Sequence, residues 1–462
     1  MESSTKGIGT ILGDPKKAIR KLALPMMVAM IAQTLYNVVD AVWVAGLGSD
    51  ALAAVGLVFP IFFIIIGVGN GLGIGASTAI ARRIGAGDKK GADRVAAHAL
   101  ILALAAALVL TLPLILFGES IFMAIGAGDV TPLCVDYAQV IFGGMFVIFI
   151  VTLLDSILRG EGDASRSMRM MIIASGLNIV FDPIFIYVLD MGIAGAAYAS
   201  VFAFGIAAIV MGRWFFVKKD TYVRFDFKDF KFDWKIAKDI FRVGLPAATE
   251  MAILSVSALL VNMIIISIGS TDGVAIYSSG WRIFQMAMIP FLSIGAAMTP
   301  VCAAAYGGKR YDKLNEGYRY ATKLSVSVMV LMAGALFVFA NELSMMFTYA
   351  DSTIHLREGM VEFMRIGCIF LPFIGMASIS TMMFQGIGKG VRSLISTFVR
   401  SLIFVLPLIY LMGTEFGITG AWWGLVIGQS FGSLIVVIWG FYTVKTLMRE
   451  YPRARHLPPE TS

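Results

Sequence analysis

Residues 51–81 read ALAAVGLVFPIFFIIIGVGNGLGIGASTAIA, a stretch without a single charged side chain. A helix over this stretch is longer than the roughly 30 Å of hydrocarbon in a bilayer. Similar apolar runs recur along the whole chain, separated by short polar segments, so the sequence predicts an all-α integral membrane protein. The twelve predicted spans are 22–46, 51–81, 95–117, 134–158, 171–189, 193–217, 240–268, 274–300, 321–340, 359–384, 393–412 and 418–444.

The composition excludes the common classes of soluble protein. Of 462 residues, 58% are hydrophobic and 15% are charged, and the mean hydropathy is +0.83. An ordinary soluble enzyme and a disordered chain are both excluded by this apolar content. Three cysteines, Cys134, Cys302 and Cys368, lie in apolar runs without a disulfide, redox or zinc pattern. The formal charge of +7 could suggest nucleic acid, but the positions of the basic residues indicate a membrane.

The basic residues also predict how the chain is oriented in the membrane. Lysine and arginine favour the cytoplasmic ends of membrane spans. With the N-terminus inside, 34 of the 37 basic residues fall in cytoplasmic segments, and the exceptions are Arg282, Arg357 and Arg365. We therefore expect a multi-pass plasma-membrane protein with both termini cytoplasmic. Residues 1–21 are predicted to be a retained cytoplasmic tail rather than a cleaved signal peptide.

The chain contains an internal repeat. Three motifs recur at offsets of about 221 to 226 residues: Leu24-Pro25 as Leu245-Pro246, 158–163 as 384–389, and 192–196 as 417–421. Each half has six predicted spans, an even number, so both halves enter the membrane in the same sense. The sequence predicts two pseudo-symmetric six-helix bundles, an N-lobe over 1–217 and a C-lobe over 240–462, joined by a cytoplasmic linker over 218–239.

Polar residues converge on one face of the first span. Acidic side chains within a membrane span cost several kcal/mol unless they face water or a partner, so each is a functional candidate. The face is formed by residues at helical spacing, namely Gln33, Tyr36, Asn37 and Asp40. In the fifth span Asn178 and Asp182 are i, i+4 neighbours, and Pro183 frees a carbonyl oxygen about one turn earlier.

These groups are expected at one depth in the membrane. Asp40, Asp182 and Ser200 all lie roughly 9–12 Å below the predicted outer ends of their helices. Carboxylate, amide and hydroxyl oxygens are the ligands that a proton or a sodium ion requires, so the candidate sodium ligands are Asp40, Asn178, Asp182 and Ser200. The alternative is that the two acids are separate, permanently protonated packing residues.

Further candidates have more than one interpretation. Asp155 lies four residues before Arg159, so the two can neutralise each other near the cytoplasmic interface. Glu250, one turn beyond Pro246, is equally consistent with structural anchoring and with substrate attraction. Met251 beside it can line an adaptable pocket.

Alternating glycines from Gly67 to Gly75 imitate a dinucleotide fingerprint. They lie in the middle of a span with no soluble strand before them, so helix packing is the prediction. The chain also has no Gly-x-x-x-x-Gly-Lys-Ser/Thr phosphate loop, which leaves ATP-driven transport unsupported.

Together these motifs resemble the multidrug and toxic compound extrusion (MATE) transporters, particularly their prokaryotic DinF-like branch. The resemblance covers essentially the whole chain. It rests on four motifs in order: Gln33-x-x-Tyr-Asn-x-x-Asp40, Leu158-Arg-Gly-x-Gly-Asp163, Asn178-x-x-x-Asp182-Pro183 and Gly192-x-x-Gly-Ala196.

The resemblance implies a V-shaped pair of bundles that exports amphipathic or cationic organic compounds by antiport with H+ or Na+. It implies no cofactor beyond that ion, contact with membrane lipid, no nucleic acid and a monomer. The implied cation-coupling residues are Asp40, Asn178, Asp182, the Ala196 carbonyl and Ser200. The candidate substrate-cavity residues are Gln33, Tyr36, Asn37, Tyr137, Asp155 and Met251.

Three positions qualify what the resemblance implies. Asp155 replaces the asparagine usual in relatives. Ile374 stands about where the NorM-like branch has an acid in the tenth span, so no second cation site is predicted in the C-lobe. Pro25 matches a first-helix proline at which bending is expected, which makes it a candidate hinge.

Three alternatives to drug antiport stay open. A lipid-linked oligosaccharide flippase of the same superfamily would be expected to line its cavity with basic residues. A membrane enzyme would need a cluster of catalytic groups at the interface, and a receptor or channel would show no gradient-driven counter-transport. The sequence does not identify the substrate, and it leaves the choice between protons and sodium ions open because both use oxygen ligands.

Overall fold

A computed structural model of the protein describes residues 5–225, 227, 230–269, 271–349 and 353–450, and these residues contain helices but no strand. The last twelve residues of the predicted cytoplasmic C-terminus, 451–462, lie outside this set. Ten helices among the described residues are long and apolar enough to cross a membrane, or eleven if one bent pair is a single span. The chain is thus an all-helical, multi-pass membrane protein.

The first half contains eight α-helices. Their bounds are α1 Lys6–Leu12, α2 Pro15–Ala45, α3 Ser49–Gly85, α4 Lys89–Ala124, α5 Thr131–Gly143, α6 Met145–Gly160, α7 Ala164–Pro183 and α8 Gly192–Gly212. A 3₁₀ turn at Gly128–Val130 precedes α5, and π-helical turns at Ile184–Val188 and Arg213–Lys218 follow α7 and α8.

The second half contains eight more. Their bounds are α9 Trp234–Gly269, α10 Thr271–Gly307, α11 Tyr311–Val338, α12 Ala340–Met345, α13 Arg357–Gly367, α14 Leu371–Gly386, α15 Gly390–Phe398 and α16 Val405–Glu450. Short 3₁₀ turns at Ile354–Leu356 and Cys368–Phe370 precede α13 and α14, and a π-helical turn at Val399–Phe404 joins α15 to α16.

Two irregular places account for the twelve predicted spans. The fourth span consists of α5 and α6, which meet at an angle of 45° at Gly144. The apolar run Gly390–Arg449 is 60 residues long, far more than one span requires, and its helix breaks at Gly417, where φ is +66°. Counting the bent pair as one span and the broken run as two gives twelve.

The first span begins earlier than predicted. The helix α2 starts at Pro15, within the segment 1–21 that was predicted to be a tail. Pro15 suits a helix start because its missing N–H would have no partner there, and the Asp14 side chain accepts a 2.9 Å hydrogen bond from the Lys17 N–H. Ala18 and Ile19 are buried, which explains why these residues are folded.

The backbone repeats where the sequence repeats. Gly162 and Gly388, 226 positions apart, have φ values of +81° and +77°. Gly192 and Gly417, 225 positions apart, have φ values of +55° and +66°. Glycine adopts this left-handed region without the strain that a Cβ would cause. The same turns therefore occur at equivalent places in the two halves.

The described residues fall into two compact units, each with its own core. One contains 5–13 with Leu24–Ala248, and the other contains Asp14–Ala23 with 249–450. The start of α9 groups with the first unit because glycines of α3 allow close approach. A Cβ on Gly71 would lie 2.4 Å from the Gly244 carbonyl oxygen, and one on Gly75 would lie 2.3 Å from that of Ile240. The prediction that these glycines serve helix packing is confirmed.

Candidate cation-coupling site

Two acidic residues from different helices meet in the first unit. The carboxyl groups of Asp40 on α2 and Asp182 on α7 lie within hydrogen-bonding reach of each other. An ionised carboxylate can only accept hydrogen bonds, so a hydrogen bond between them forms when the pair carries a proton. Asp182 is fully buried, whereas Asp40 is half-buried.

An amide connects this pair to the next helix. Asn178 lies one turn before Asp182 on α7, and its Nδ2 donates to Asp182 Oδ2 at 3.0 Å in the orientation that its neighbours require. In that orientation its Oδ1 accepts from the Ser200 hydroxyl at 3.0 Å and from the Ser200 N–H at 3.2 Å. Residues of α7 and α8 predicted to act together are thus in direct contact.

Two tyrosines lie beside this polar cluster. The Tyr36 hydroxyl lies 3.3 Å from the Ser200 hydroxyl, one turn before Asp40 on α2. Tyr137 on α5 is close enough to Tyr36, Asp40 and Asp182 to interact electrostatically with all three. The polar face predicted for the first span therefore turns Tyr36 and Asp40 toward α7 and α8.

The C-terminal ends of α2 and α7, beyond the two acids, are in direct contact. After Pro183 the chain forms the π-helical turn Ile184–Val188, and Tyr187 in that turn donates a 2.6 Å hydrogen bond to the Trp43 carbonyl. The rings of Trp43 and Tyr187 also meet edge to face, with centroids 6.1 Å apart. Sequence reasoning missed this contact, and the only signal for it is a tyrosine one turn beyond Pro183.

Ala196 lies beside the cluster, one turn before Ser200 on α8. Its side chain is buried with Val44 and Ile186, and Tyr137 packs against the same small hydrophobic group. The structure thus gathers Tyr36, Tyr137, Ala196 and the four polar residues of the predicted coupling site.

Three predicted cavity residues, and the candidate hinge Pro25, are not part of this cluster. Gln33 and Asn37 are exposed on α2, and none of the described hydrogen bonds joins them to the cluster. Met251 is 43% exposed on α9, within the second compact unit. Pro25 lies inside the continuous helix α2.

Asp155 lies at a different level, toward the other end of α7. It forms a 3.1 Å ion pair with Arg159 and accepts a hydrogen bond from the Ser167 hydroxyl. Ser167 precedes Asn178 by eleven residues on α7, which is roughly 16 Å along the helix. The self-neutralising pair considered for Asp155 and Arg159 is therefore formed.

The acidic pair has no basic partner in the part of the chain that the structure describes. Among the described residues, no lysine or arginine forms an ion pair with Asp40 or Asp182, and the groups that interact electrostatically with them are acids and tyrosines. A site of this kind attracts a cation and can be neutralised only by one.

The second half fills the equivalent space with apolar side chains. At the repeat offsets, Asp40 corresponds to Val261 and Ser200 to Leu425, both buried in a hydrophobic cluster. Aligning Pro183 with Pro407 makes Leu406 the counterpart of Asp182, and it packs against the same cluster. The repeat therefore carries this arrangement of acids only once.

Comparison with known proteins identifies relatives along the whole chain. The family model described as MatE matches residues 25–184 and 246–411. The multidrug export protein MepA of Staphylococcus aureus is 26% identical over 428 residues, which cover 91% of this chain and 92% of the relative.

Two solved structures resemble this chain closely. One, an outward-facing conformation of a multidrug resistance MATE family transporter of the MOP superfamily, is 41% identical, with a TM-score of 0.93 and coverage of 97% of this chain and 100% of the other. A MOP superfamily transporter from Pyrococcus furiosus is 40% identical, with a TM-score of 0.92 and coverage of 96% and 99%. Its binding pocket is described as having a reverse polarity that suggests a different function.

Proposed function

This chain belongs to the MATE family of transporters, and we propose that it exports amphipathic organic cations across the cell membrane in exchange for protons. The observation that carries the proposal is the close pair of carboxyl groups of Asp40 and Asp182, which has no basic partner among the residues that the structure describes. The relative MepA is named as a multidrug export protein and a close structural neighbour as a multidrug resistance transporter, which supports a drug-like cargo.

A proton fits this pair better than a sodium ion does. Two carboxyl groups in hydrogen-bond contact hold one proton between them, and a sodium ion bound by both would have to separate them. Carboxyl groups this close titrate as a coupled pair, so one proton is held more tightly than the other. Exchange of the second proton is then the step that changes the net charge of the site.

The exchange follows from the charge of the pair. In the form without the second proton the site is negative and holds an organic cation. A proton that enters from outside neutralises the site and removes the attraction, so the cargo is released. Each elementary charge that moves across 100 mV contributes about 2.3 kcal/mol, enough to support a substantial concentration gradient.

The acidic character of the pair also argues against the flippase alternative. A phosphate-bearing lipid is attracted by lysine and arginine, and neither pairs with Asp40 or Asp182 among the described residues. The binding pocket of the Pyrococcus relative is described as having reverse polarity. The charge of the residues around the acidic pair is therefore the first property to compare between the two proteins.

Ion dependence of flux tests the proposal. Proteoliposomes loaded with a fluorescent organic cation are exposed to a pH gradient, a sodium gradient or neither. We expect counter-transport driven by the pH gradient alone, saturable in the cation. Flux that follows only the sodium gradient would contradict proton coupling, and flux independent of both would indicate a channel.

A further inference from the structure

Each half of the chain contains a buried carboxylate near the predicted cytoplasmic ends of its helices. In the first half it is Asp155 on α6, and in the second half it is Glu250 on α9. Neither belongs to the cluster around Asp40. Because a carboxylate within a membrane span is costly unless it has a role, both require an explanation.

The two carboxylates are held by residues at the same two positions of the repeat. Ser167 donates to Asp155, and Ser393, 226 positions later, donates to Glu250 Oε1. Arg159 contacts Asp155 at 3.1 Å, and Gln385, again 226 positions later, donates to Glu250 Oε2 at 3.3 Å. This offset is the one that relates the motifs 158–163 and 384–389.

The halves differ in charge at one of these positions. Arg159 neutralises Asp155, whereas Gln385 satisfies a hydrogen bond of Glu250 without supplying a charge. Thr397 adds a further side-chain hydrogen bond to Glu250. The charged group that faces Glu250 is Arg400, which interacts with it electrostatically beyond ion-pair distance.

Arg400 is itself engaged elsewhere. Its Nη1 lies 3.3 Å from Gln429 Oε1 on α16, to which it donates a hydrogen bond. Glu250 thus has hydroxyl and amide donors on both oxygens and no contact ion pair among the described residues. An arginine in contact with a carboxylate favours the ionised form strongly. Neutral donors favour that form less, and burial away from water opposes it, so a buried carboxylate without a contact ion pair can take up and release a proton.

Two of the donors to Glu250 lie at helix ends. Gln385 is the last residue but one of α14, and Ser393 is in the first turn of α15, on either side of the turn at 387–389. These two donors are therefore within about one helical turn, or roughly 5 Å, of those helix ends. Glu250 itself lies well inside α9, and Thr397 is in the last turn of α15.

We propose that Glu250 is a second proton-binding site, separate from Asp40 and Asp182, and that glutamine at position 385 in place of arginine makes it exchangeable. Asp155 is its permanently ion-paired counterpart in the first half. The transporter then carries one exchangeable proton in each half, on different elements of the repeat.

Direct counting of protons tests this proposal. The purified full-length protein in detergent is titrated between about pH 5.5 and pH 8.5, above the range in which an exposed carboxyl group titrates. We expect Glu250→Gln to exchange close to one proton fewer than the wild type. Gln385→Arg, which keeps the carboxylate but supplies a charge, should lose the same proton.

The first half provides the matched controls. Asp155→Asn should exchange as many protons as the wild type, and Arg159→Gln should exchange about one more. An unchanged titration of both Glu250→Gln and Gln385→Arg would overturn the proposal, as would a loss in Asp155→Asn equal to that in Glu250→Gln. Elution as a monodisperse peak in size-exclusion chromatography selects the variants that are folded. The titration uses neither drug nor gradient, so its result is independent of whether Asp40 and Asp182 couple transport.

Discussion

The carboxyl groups of Asp40 and Asp182 lie within hydrogen-bonding reach of each other, although one belongs to α2 and the other to α7. This contact joins α2 to the polar residues of α7 and α8, because Asn178 links Asp182 to Ser200 on α8. Three helices thus share one polar cluster with a single ionisable pair at its centre. The predictions below follow from that arrangement.

Removing either acid should abolish coupling. Asp40→Asn and Asp182→Asn keep the size of the side chain and a hydrogen-bonding group but lose the charge that attracts a cation. We expect gradient-driven efflux of an organic cation from vesicles to fall at least tenfold in each variant, which corresponds to about 1.4 kcal/mol. The matched control is Asp129→Asn, an exposed acid in a predicted outer loop. Undiminished efflux in both Asp40→Asn and Asp182→Asn would remove the mechanism.

The pH dependence of efflux should require a hydroxyl group at position 200, whether serine or threonine supplies it. Ser200→Ala removes the hydroxyl that contacts both Tyr36 and Asn178. Asn178 keeps its hydrogen bond from the N–H of residue 200, but the Tyr36 hydroxyl loses this partner, and an unsatisfied buried polar group costs about 1–3 kcal/mol. We expect the external pH at which efflux is half-maximal to shift in Ser200→Ala and to return toward the wild-type value in Ser200→Thr. Equal shifts in the two variants would show that side-chain packing, rather than the hydroxyl, sets the external pH of half-maximal efflux.

Pro25 should make α2 deformable. A proline inside a helix has no backbone N–H to donate to the preceding turn, at a cost of about 3 kcal/mol. We expect Pro25→Ala to raise the Tm of the detergent-solubilised protein and to slow efflux, with binding of the organic cation unchanged. A variant that transports as fast as the wild type would exclude Pro25 as a hinge.

Glu161 should make stability depend on pH. It is buried in the turn between α6 and α7 and accepts a 3.0 Å hydrogen bond from the Val223 N–H. Burial raises the pKa of its carboxyl from 4.5 to about 8, against the opposing effect of that hydrogen bond. Between these two values the folded protein binds a proton that the unfolded chain does not.

The stability that Glu161 contributes is therefore complete below about pH 4.5 and is lost as the pH rises through 8. The expected loss approaches about 1.4 kcal/mol per pH unit between roughly pH 5.5 and 7.5. Glu161→Gln keeps an acceptor for Val223 but has no titratable proton, so its Tm should vary less with pH. Glu119→Gln, a change at an exposed position, should behave as the wild type. A Tm profile of Glu161→Gln parallel to that of the wild type would contradict this assignment.

Much of the fold could be predicted from the sequence, because a bilayer demands long apolar runs and cytoplasmic charges mark their ends. The i, i+4 spacing of Asn178 and Asp182, together with the depth of Asp40, predicted that these three residues meet. The same reasoning wrongly included Gln33 and Asn37, which are exposed. The bend at Gly144 and the early helix start at Pro15 could not be predicted, because local capping and packing decide them. The hydrogen bond from Tyr187 to Trp43 and the donors of Glu250 depend on long-range packing, which has no periodic signal.

Proton release on binding of an organic cation tests the central claim most directly. The cation is added to the purified protein in weak buffer, near the pH at which efflux is half-maximal, and the change in pH is recorded. The account predicts that the wild type releases protons in proportion to bound cation and that Asp40→Asn and Asp182→Asn release none through this pair. Cation binding with equal proton release in the wild type and in both variants would contradict it.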